Sequence, residues 1–257
     1  MDVNSAAEPY RHDGNRTGIL LCHGFTGSPA SLRPWAEHLA AVGFSVELPR
    51  LPGHGTTWQE MNLTRWPDWY SAVERALLDL AERCDTIIVA GLSMGGCLAL
   101  RLAEDHPAVV DGLVLVNPAV AHGDPRLYAL PVLRHLVPSF PGISNDIAKP
   151  GQDEHAYDRN PLHALHSQTK MWRTVRDDLA KVTQPILLLR SVNDHVVDDT
   201  GHPLIVSGVS STDVTTVMLH RSFHVATLDH DAPEIFRESV EFAGRVAAAN
   251  TRAAGER

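Results

Sequence analysis

One short stretch constrains this chain more than any other: Ile87 to Gly96, which reads Ile-Ile-Val-Ala-Gly-Leu-Ser-Met-Gly-Gly. The run Ile87-Ile88-Val89-Ala90 has the β-branched, apolar character of a strand buried on both faces. It passes directly into Gly91-Leu92-Ser93-Met94-Gly95, a G-x-S-x-G pentapeptide. Glycines on either side of the serine permit a turn too tight for side chains, so Ser93 is expected in a strained conformation with its hydroxyl exposed between a strand and a helix. Gly96 to Glu104 carries Cys97, Leu98, Ala99, Leu100, Leu102 and Ala103 before His106-Pro107, the pattern of a buried helix. Without strand and helix the pentapeptide would be an ordinary Gly/Ser turn. With both present it suits a nucleophile.

The flanking chain repeats a β-α rhythm. Thr17 to Cys22 is a short apolar strand leading into the glycine-rich loop His23-Gly24-Phe25-Thr26-Gly27-Ser28-Pro29. A helix follows from Ser28, with the serine as N-cap, Pro29 in the first turn, Leu32, Trp35, Leu39 and Val42 on one face, and Gly43 as its stop. Phe44 to Leu48 is the next strand, and Pro49 to Gly55 a rigid loop. A helix opening at Pro67 or Asp68 places Trp69, Val73, Leu77 and Leu80 on its inner stripe. Gly112 to Asn117, Pro185 to Arg190 and Val214 to Leu219 complete the strands; Met171 to Lys181 reads as helical. Asp231 to Ala248 is the closing helix, with Asp231 and Glu234 at capping-box spacing and a polar tail beyond. Strands alternating with helices predict an α/β fold with a mostly parallel, doubly wound sheet.

The rhythm breaks between Pro118 and about Thr169, where Pro125, Pro131, Pro138, Pro141, Pro150 and Pro161 interrupt short apolar pieces. We read residues 1–257 as a single domain and about 119–169 as an insertion. It carries Leu130, Val132, Leu133, Leu136, Val137, Phe140 and Ile143, as a cap (lid) over the active-site end of the sheet would. Long excursions of this kind inside compact domains have functional reasons.

The formal charge of −9 argues against a nucleic-acid partner. Cys22, Cys84 and Cys97 have no C-x-x-C spacing and read as buried free thiols. The fifteen histidines form no H-E-x-x-H or similar cluster, so no metal is expected. Residues 1–15 lack the apolar and basic regions of a signal peptide, and no apolar run approaches a membrane span. A cytoplasmic location without stable membrane insertion is the expectation, with transient contact between the apolar cap and a lipid surface.

A serine hydroxyl becomes nucleophilic when a base removes its proton and a carboxylate holds that base. In a doubly wound sheet, residues just past different strands converge at one edge. Ser93 follows a middle strand, Asp194 a late one, and His224 the last: the order Ser, Asp, His. Asp198 and Asp199 share the acid loop, but Asp194 stands nearest the strand end. For the base, His220 sits nearer the strand and His230 at the start of the last helix; loop position favours His224, and the family resemblance carried by the same loop adds to that choice. His195 reads as a bystander beside the acid. Two amides are needed for an oxyanion, and those of Met94, after the nucleophile, and Phe25, after the early strand, are placed for it, with their side chains free to line an acyl pocket. His23 and His54 are expected to hold these loops by hydrogen bonds.

Five segments in order carry a wider likeness: His23 to Pro29, Leu51 to Thr56, Gly91 to Gly96, Asn193 to Val197 and Phe223 to Asp229. Together they resemble the bacterial monoacylglycerol lipases and the related small carboxylesterases, members of the α/β-hydrolase superfamily, over about Gly18 to Ala243. The resemblance implies a cofactor-independent serine hydrolase with a small cap, cleaving monoacylglycerols or other short to medium single-chain esters by a Ser93-His224-Asp194 triad. It also implies that Glu154, in Asp153-Glu154-His155-Ala156-Tyr157, reads the glycerol head group. The first half of the cap, Val120 to Phe140, departs from the family pattern. A general carboxylesterase, a thioesterase or an acyltransferase on the same fold are the alternatives.

Overall fold

The structure, a computed structural model, describes residues 3–255. In chain order its strands are β1 (Tyr10–His12), β2 (Thr17–Cys22), β3 (Ser45–Leu48), β4 (Thr86–Leu92), β5 (Gly112–Val116), β6 (Ser139–Pro141), β7 (Arg159–Pro161), β8 (Ile186–Ser191) and β9 (Val214–Leu219). Its α-helices are α1 (Arg33–Val42), α2 (Trp58–Met61), α3 (Trp66–Ala81), α4 (Met94–Asp105), α5 (Leu130–Leu136), α6 (Leu162–Asp178), α7 (Gly201–Gly208) and α8 (Ala232–Gly255). Seven strands form one sheet in the order β1-β3-β2-β4-β5-β8-β9, and β6 pairs with β7 in a separate ribbon. Every pairing in the large sheet is parallel except that of β1 with β3. The strand carrying Ser93 thus lies near the middle of the sheet.

Two cores follow from the period-two alternation of side chains along each strand. In β4, Ile87 and Val89 pack on one face with Trp69, Leu77 and Leu98. Ile88, Ala90 and Leu92 pack on the other with Trp35, Leu39 and Phe242. The inner stripe of α3 (Trp69, Val73, Leu77, Leu80) is fully buried, each side chain contributing about 1.5–3 kcal/mol of hydrophobic stabilisation. Ser28 caps a 3₁₀ turn, Pro29–Leu32, by accepting from the Ala30 amide, and Gly43 ends α1 at φ 107°. Val42, placed on the inner face by periodicity, is 47 % exposed.

Several elements depart from the sequence reading. β1 arises in a polar stretch to which the sequence reading assigned no element, recruited by its pairing with β3 (Arg11 opposite Glu47). Helix α6 begins at Leu162 and not Met171, because its inner face is partly polar: Ser167 and Gln168 are buried beside Leu162 and Ala164. Helix α7 contains Gly201, Pro203 and Gly208, poor helix formers that hid it. Helix α8 runs to Gly255, through the stretch read as a polar tail. The Asp231 carboxylate accepts from the amide and Nε of Arg221, so it serves the preceding loop and not the capping box expected of it. The three cysteines are free and buried. Among the described residues no helix is long and apolar enough to cross a membrane.

Between β5 and α6 the chain contains a 3₁₀ turn (Pro125–Ala129), α5 and the β6/β7 ribbon. Tyr128, Val132, Leu136 and Ile143 are exposed there, while Leu130 is buried. The stretch 145–149 behaves differently. Asp229 accepts the amides of Ala148 and Lys149 at 2.7 and 2.9 Å, and Asp146 O accepts the Val225 amide at 3.1 Å. This part of the insertion is stitched onto the loop after β9.

Candidate active site

Ser93 joins β4 to α4 at φ 58°, ψ −119°, a backbone conformation that side chains rarely occupy and that persists only where the surroundings enforce it. Enforcement is visible on both sides. A Cβ on Gly91 would lie 2.3 Å from the Gly95 carbonyl oxygen, and one on Gly95 would lie 1.8 Å from the Cys22 carbonyl oxygen. The Ser93 amide donates to Val116 O at 3.0 Å, fixing the turn to β5. Its side chain opens on a cavity of about 380 Å³ that also meets Phe25, Glu154, Ile143, Trp172 and His224.

Asp194 and His224 lie past the ends of β8 and β9, adjacent parallel strands. His224 Nδ1 donates to Asp194 Oδ2 at 2.7 Å, and Asp194 Oδ1 accepts the amides of Val196 and Val197, each at 2.8 Å. Burial alone would lower the His224 pKa. The charge of Asp194 and the hydrogen bond to it, with the charges of Glu154 and Asp146, outweigh burial and raise it. Burial would likewise raise Asp194, but the imidazole and the two amides hold it below its ordinary value. Asp198 is occupied by Gly123 and Thr200, and Asp199 by Arg190. His220 and His230 are exposed. Of the alternatives left open by sequence, the structure brings only Asp194 and His224 together.

The other expected residues fall as follows. Met94 is the first residue of α4, where backbone amides have no partner within the helix. Its side chain is fully buried in the core and does not line the cavity, against expectation; that of Phe25 does line it. His23 Nε2 accepts the Leu51 amide at 3.2 Å while Nδ1 donates to Gly24 O at 3.1 Å, tying the Phe25 loop to the loop after β3. His54 Nδ1 donates to Pro52 O at 3.0 Å. Glu154 is buried; its Oε1 accepts the Asn145 amide at 2.8 Å, and burial raises its pKa.

Sequence reasoning missed two residues here. Asn117, at φ 44°, accepts the Ser191 amide through Oδ1 and donates to His224 O at 2.7 Å, joining the ends of β5 and β8 to the loop of His224. Its position just past a buried strand was the available signal. Asp146 accepts the His224 amide at 3.0 Å and pairs with His195 Nδ1 at 2.7 Å, so His195, read as a bystander, is bonded to the same carboxylate as the His224 main chain. Nothing in the irregular insertion marked Asp146. Among the described residues, no group of three or more His, Cys, Asp or Glu side chains is arranged to hold a metal ion.

Residues 14–231 match the family described as serine aminopeptidase, S33. The chain belongs to the serine aminopeptidase S33 family. Within this S33 fold, the chain is 42 % identical over 245 residues to the thermostable monoacylglycerol lipase of Bacillus sp. (strain H-257), covering 93 % of this chain and 95 % of the relative. It is 26 % identical to a carboxylesterase of Bacillus subtilis, covering 91 % and 95 %. The solved structure of a metagenome-derived lipolytic enzyme, 38 % identical, superposes with a TM-score of 0.92 over 95 % of this chain and all 100 % of that one. The monoacylglycerol lipase of Paleococcus ferrophilus shares the fold at 20 % identity and a TM-score of 0.76, covering 93 % of this chain and 99 % of that one. This S33 member is an α/β-hydrolase with a mostly parallel seven-stranded sheet.

Proposed function

We propose that this chain hydrolyses the carboxylic esters of single-chain lipids, monoacylglycerol foremost, by a Ser93-His224-Asp194 triad. The observation that carries the reading is the His224–Asp194 pair opening with the strained Ser93 on one cavity that has both apolar walls and a buried carboxylate, Glu154. The identity to the Bacillus monoacylglycerol lipase supports it.

In the proposed cycle Ser93 Oγ attacks the ester carbonyl as its proton passes to His224 Nε2, while Asp194 keeps Nδ1 protonated and stabilises the imidazolium. The amides of Phe25 and Met94 hold the oxyanion. His224 then returns the proton to the departing glycerol oxygen, and a water activated in the same way releases the fatty acid. The insertion of about 119–169 acts as the cap: its Leu127, Ile143 and Leu165, together with Trp172 of α6 beyond it, give the acyl chain its apolar surroundings. Glu154 accepts hydrogen bonds from the glycerol hydroxyls, its second oxygen being left by the Asn145 bond. The exposed Tyr128, Val132 and Leu136 bring the cap into transient contact with lipid aggregates.

The test is hydrolysis of monolauroylglycerol, p-nitrophenyl esters of graded length and an aminoacyl p-nitroanilide by wild type, Ser93→Ala and Glu154→Ala. The proposal expects glycerol-ester turnover, its loss in Ser93→Ala, and a selective fall on the glycerol ester in Glu154→Ala. Preference for simple aryl esters with no effect of Glu154→Ala would favour a general carboxylesterase, as the Bacillus subtilis relative suggests. Turnover of the anilide alone would overturn the lipid reading.

A further inference from the structure

Two histidine–carboxylate pairs stand side by side at this cavity. One is His224 with Asp194; the other is His195 with Asp146, using the residue next to Asp194 and a carboxylate from the insertion. Asp146 is 9 % exposed, and three hydrogen bonds converge on it. Its Oδ1 accepts from His195 Nδ1 at 2.7 Å, and its Oδ2 accepts the amides of His224 at 3.0 Å and His195 at 3.2 Å. A buried carboxylate without such partners would be costly. Here its partners belong to the two loops whose separation decides whether the base faces the nucleophile.

We propose that Asp146 is a positioning residue for His224: one carboxylate, supplied by the insertion, fixes the backbone of the base and, through His195, the loop of the acid, so that both keep their places only while this stretch of the insertion is docked. The inference rests on His224 being the catalytic base. Asp146 touches no reacting atom; it acts through the His224 amide and through its own charge. His224 is faced by three carboxylates, Asp194 from the loop after β8 and Glu154 and Asp146 from the insertion. Asp146 is the one of the three that also binds the base's own main chain.

A purely structural alternative is available nearby for comparison. Asp229 accepts the amides of Phe223, Ala148, Lys149 and His230 and so stitches together the same two stretches, yet it bonds no atom of His224. Asp146→Asn keeps shape and one acceptor oxygen while removing the charge and turning the other acceptor into a donor; Asp229→Asn makes the same change at the stitch.

The decisive measurement is the titration of the His224 imidazole by NMR in wild type, Asp146→Asn and Asp229→Asn, with His224→Gln for assignment. It is paired with the pH profile of kcat/KM on a p-nitrophenyl ester. A positioning role for Asp146 lowers the His224 pKa and the acid limb together by about half a pH unit in Asp146→Asn, and reduces kcat by about ten-fold or more where the base has shifted. Asp229→Asn loosens the fold and lowers its melting temperature without moving either titration. An unmoved His224 titration in Asp146→Asn, or equal shifts in both variants, overturns the inference. If wild type cleaves no ester, the functional reading fails by itself, and the NMR titration still decides whether Asp146 acts on His224.

Discussion

The imidazole rings of His23 and His54 meet edge to face at 4.9 Å, both fully shielded from solvent. Burial pushes the His54 pKa down to about 4 and that of His23 well below its ordinary value. In the unfolded chain both rings take up a proton near pH 6.5. Their stabilisation is therefore complete above that pH and is lost as pH falls, by up to about 1.4 kcal/mol per pH unit per ring, until the folded pKa is reached. The melting temperature should decline from about pH 6.5 downward, and His54→Gln should flatten that decline. A variant with the wild-type slope would show that other groups govern acid sensitivity.

Ser93→Gly should be more stable than Ser93→Ala. Both lose the hydroxyl, but only glycine is at ease at φ 58°, and relief of strain of order 1 kcal/mol corresponds to about 2–4 °C for a chain of this size. Both should be inert on esters, with turnover reduced on the order of a million-fold. Calorimetry of the two variants side by side tests the strain; equal melting temperatures would mean the turn is relaxed.

Because the surrounding carboxylates raise the His224 pKa, the neutral base is lost as pH falls through a value above the ordinary 6.5. The acid limb of kcat/KM should sit there. Asp194→Asn removes the largest raising influence, so the limb should move to lower pH while kcat falls by on the order of 10⁴. A limb that stays in place would separate Asp194 from the titrating group.

Two glycine substitutions should differ sharply. Gly95→Ala drives a methyl into the Cys22 carbonyl and should cost more than about 4 kcal/mol, enough to prevent soluble expression. Gly151 sits at φ 77° with open space on the side where a methyl would project, no other atom lying within 4 Å of it, so alanine there should cost only about 1–2 kcal/mol. Urea midpoints, or expression for the first variant, read the contrast.

What the sequence disclosed follows physical range. Strands β2, β4, β5 and β8 were legible because burial on both faces writes a local, continuous apolar signature, whereas β9, a half-exposed edge strand, was legible from its β-branched run. Ser93 was legible because its turn needs glycines at fixed offsets. The choice of Asp194 over Asp198 rested on nearness to the strand end, and that of His224 over His220 and His230 on loop position together with the resemblance, since separation from solvent is a tertiary property that the sequence does not write locally. Asp146 left no local trace and Asn117 only its place just past a buried strand: their partners lie 78 and 107 positions away along the chain. β1, α6 and α7 were missed or shortened for a different reason, since pairing and packing there override weak intrinsic preference.

The unequal fastening of the insertion divides labour along its length. The stretch around Tyr128, Val132 and Leu136 has apolar side chains in solvent, so it should tolerate exchange for another sequence that keeps the buried Leu130. Residues 145–149 are bonded to the loop after β9 at Asp146 and Asp229 and should travel with that loop in any such chimera. On the proposed reading, a transplant that cuts before Asn145 should alter which esters are admitted, and one that cuts after it should alter whether they are cleaved at all.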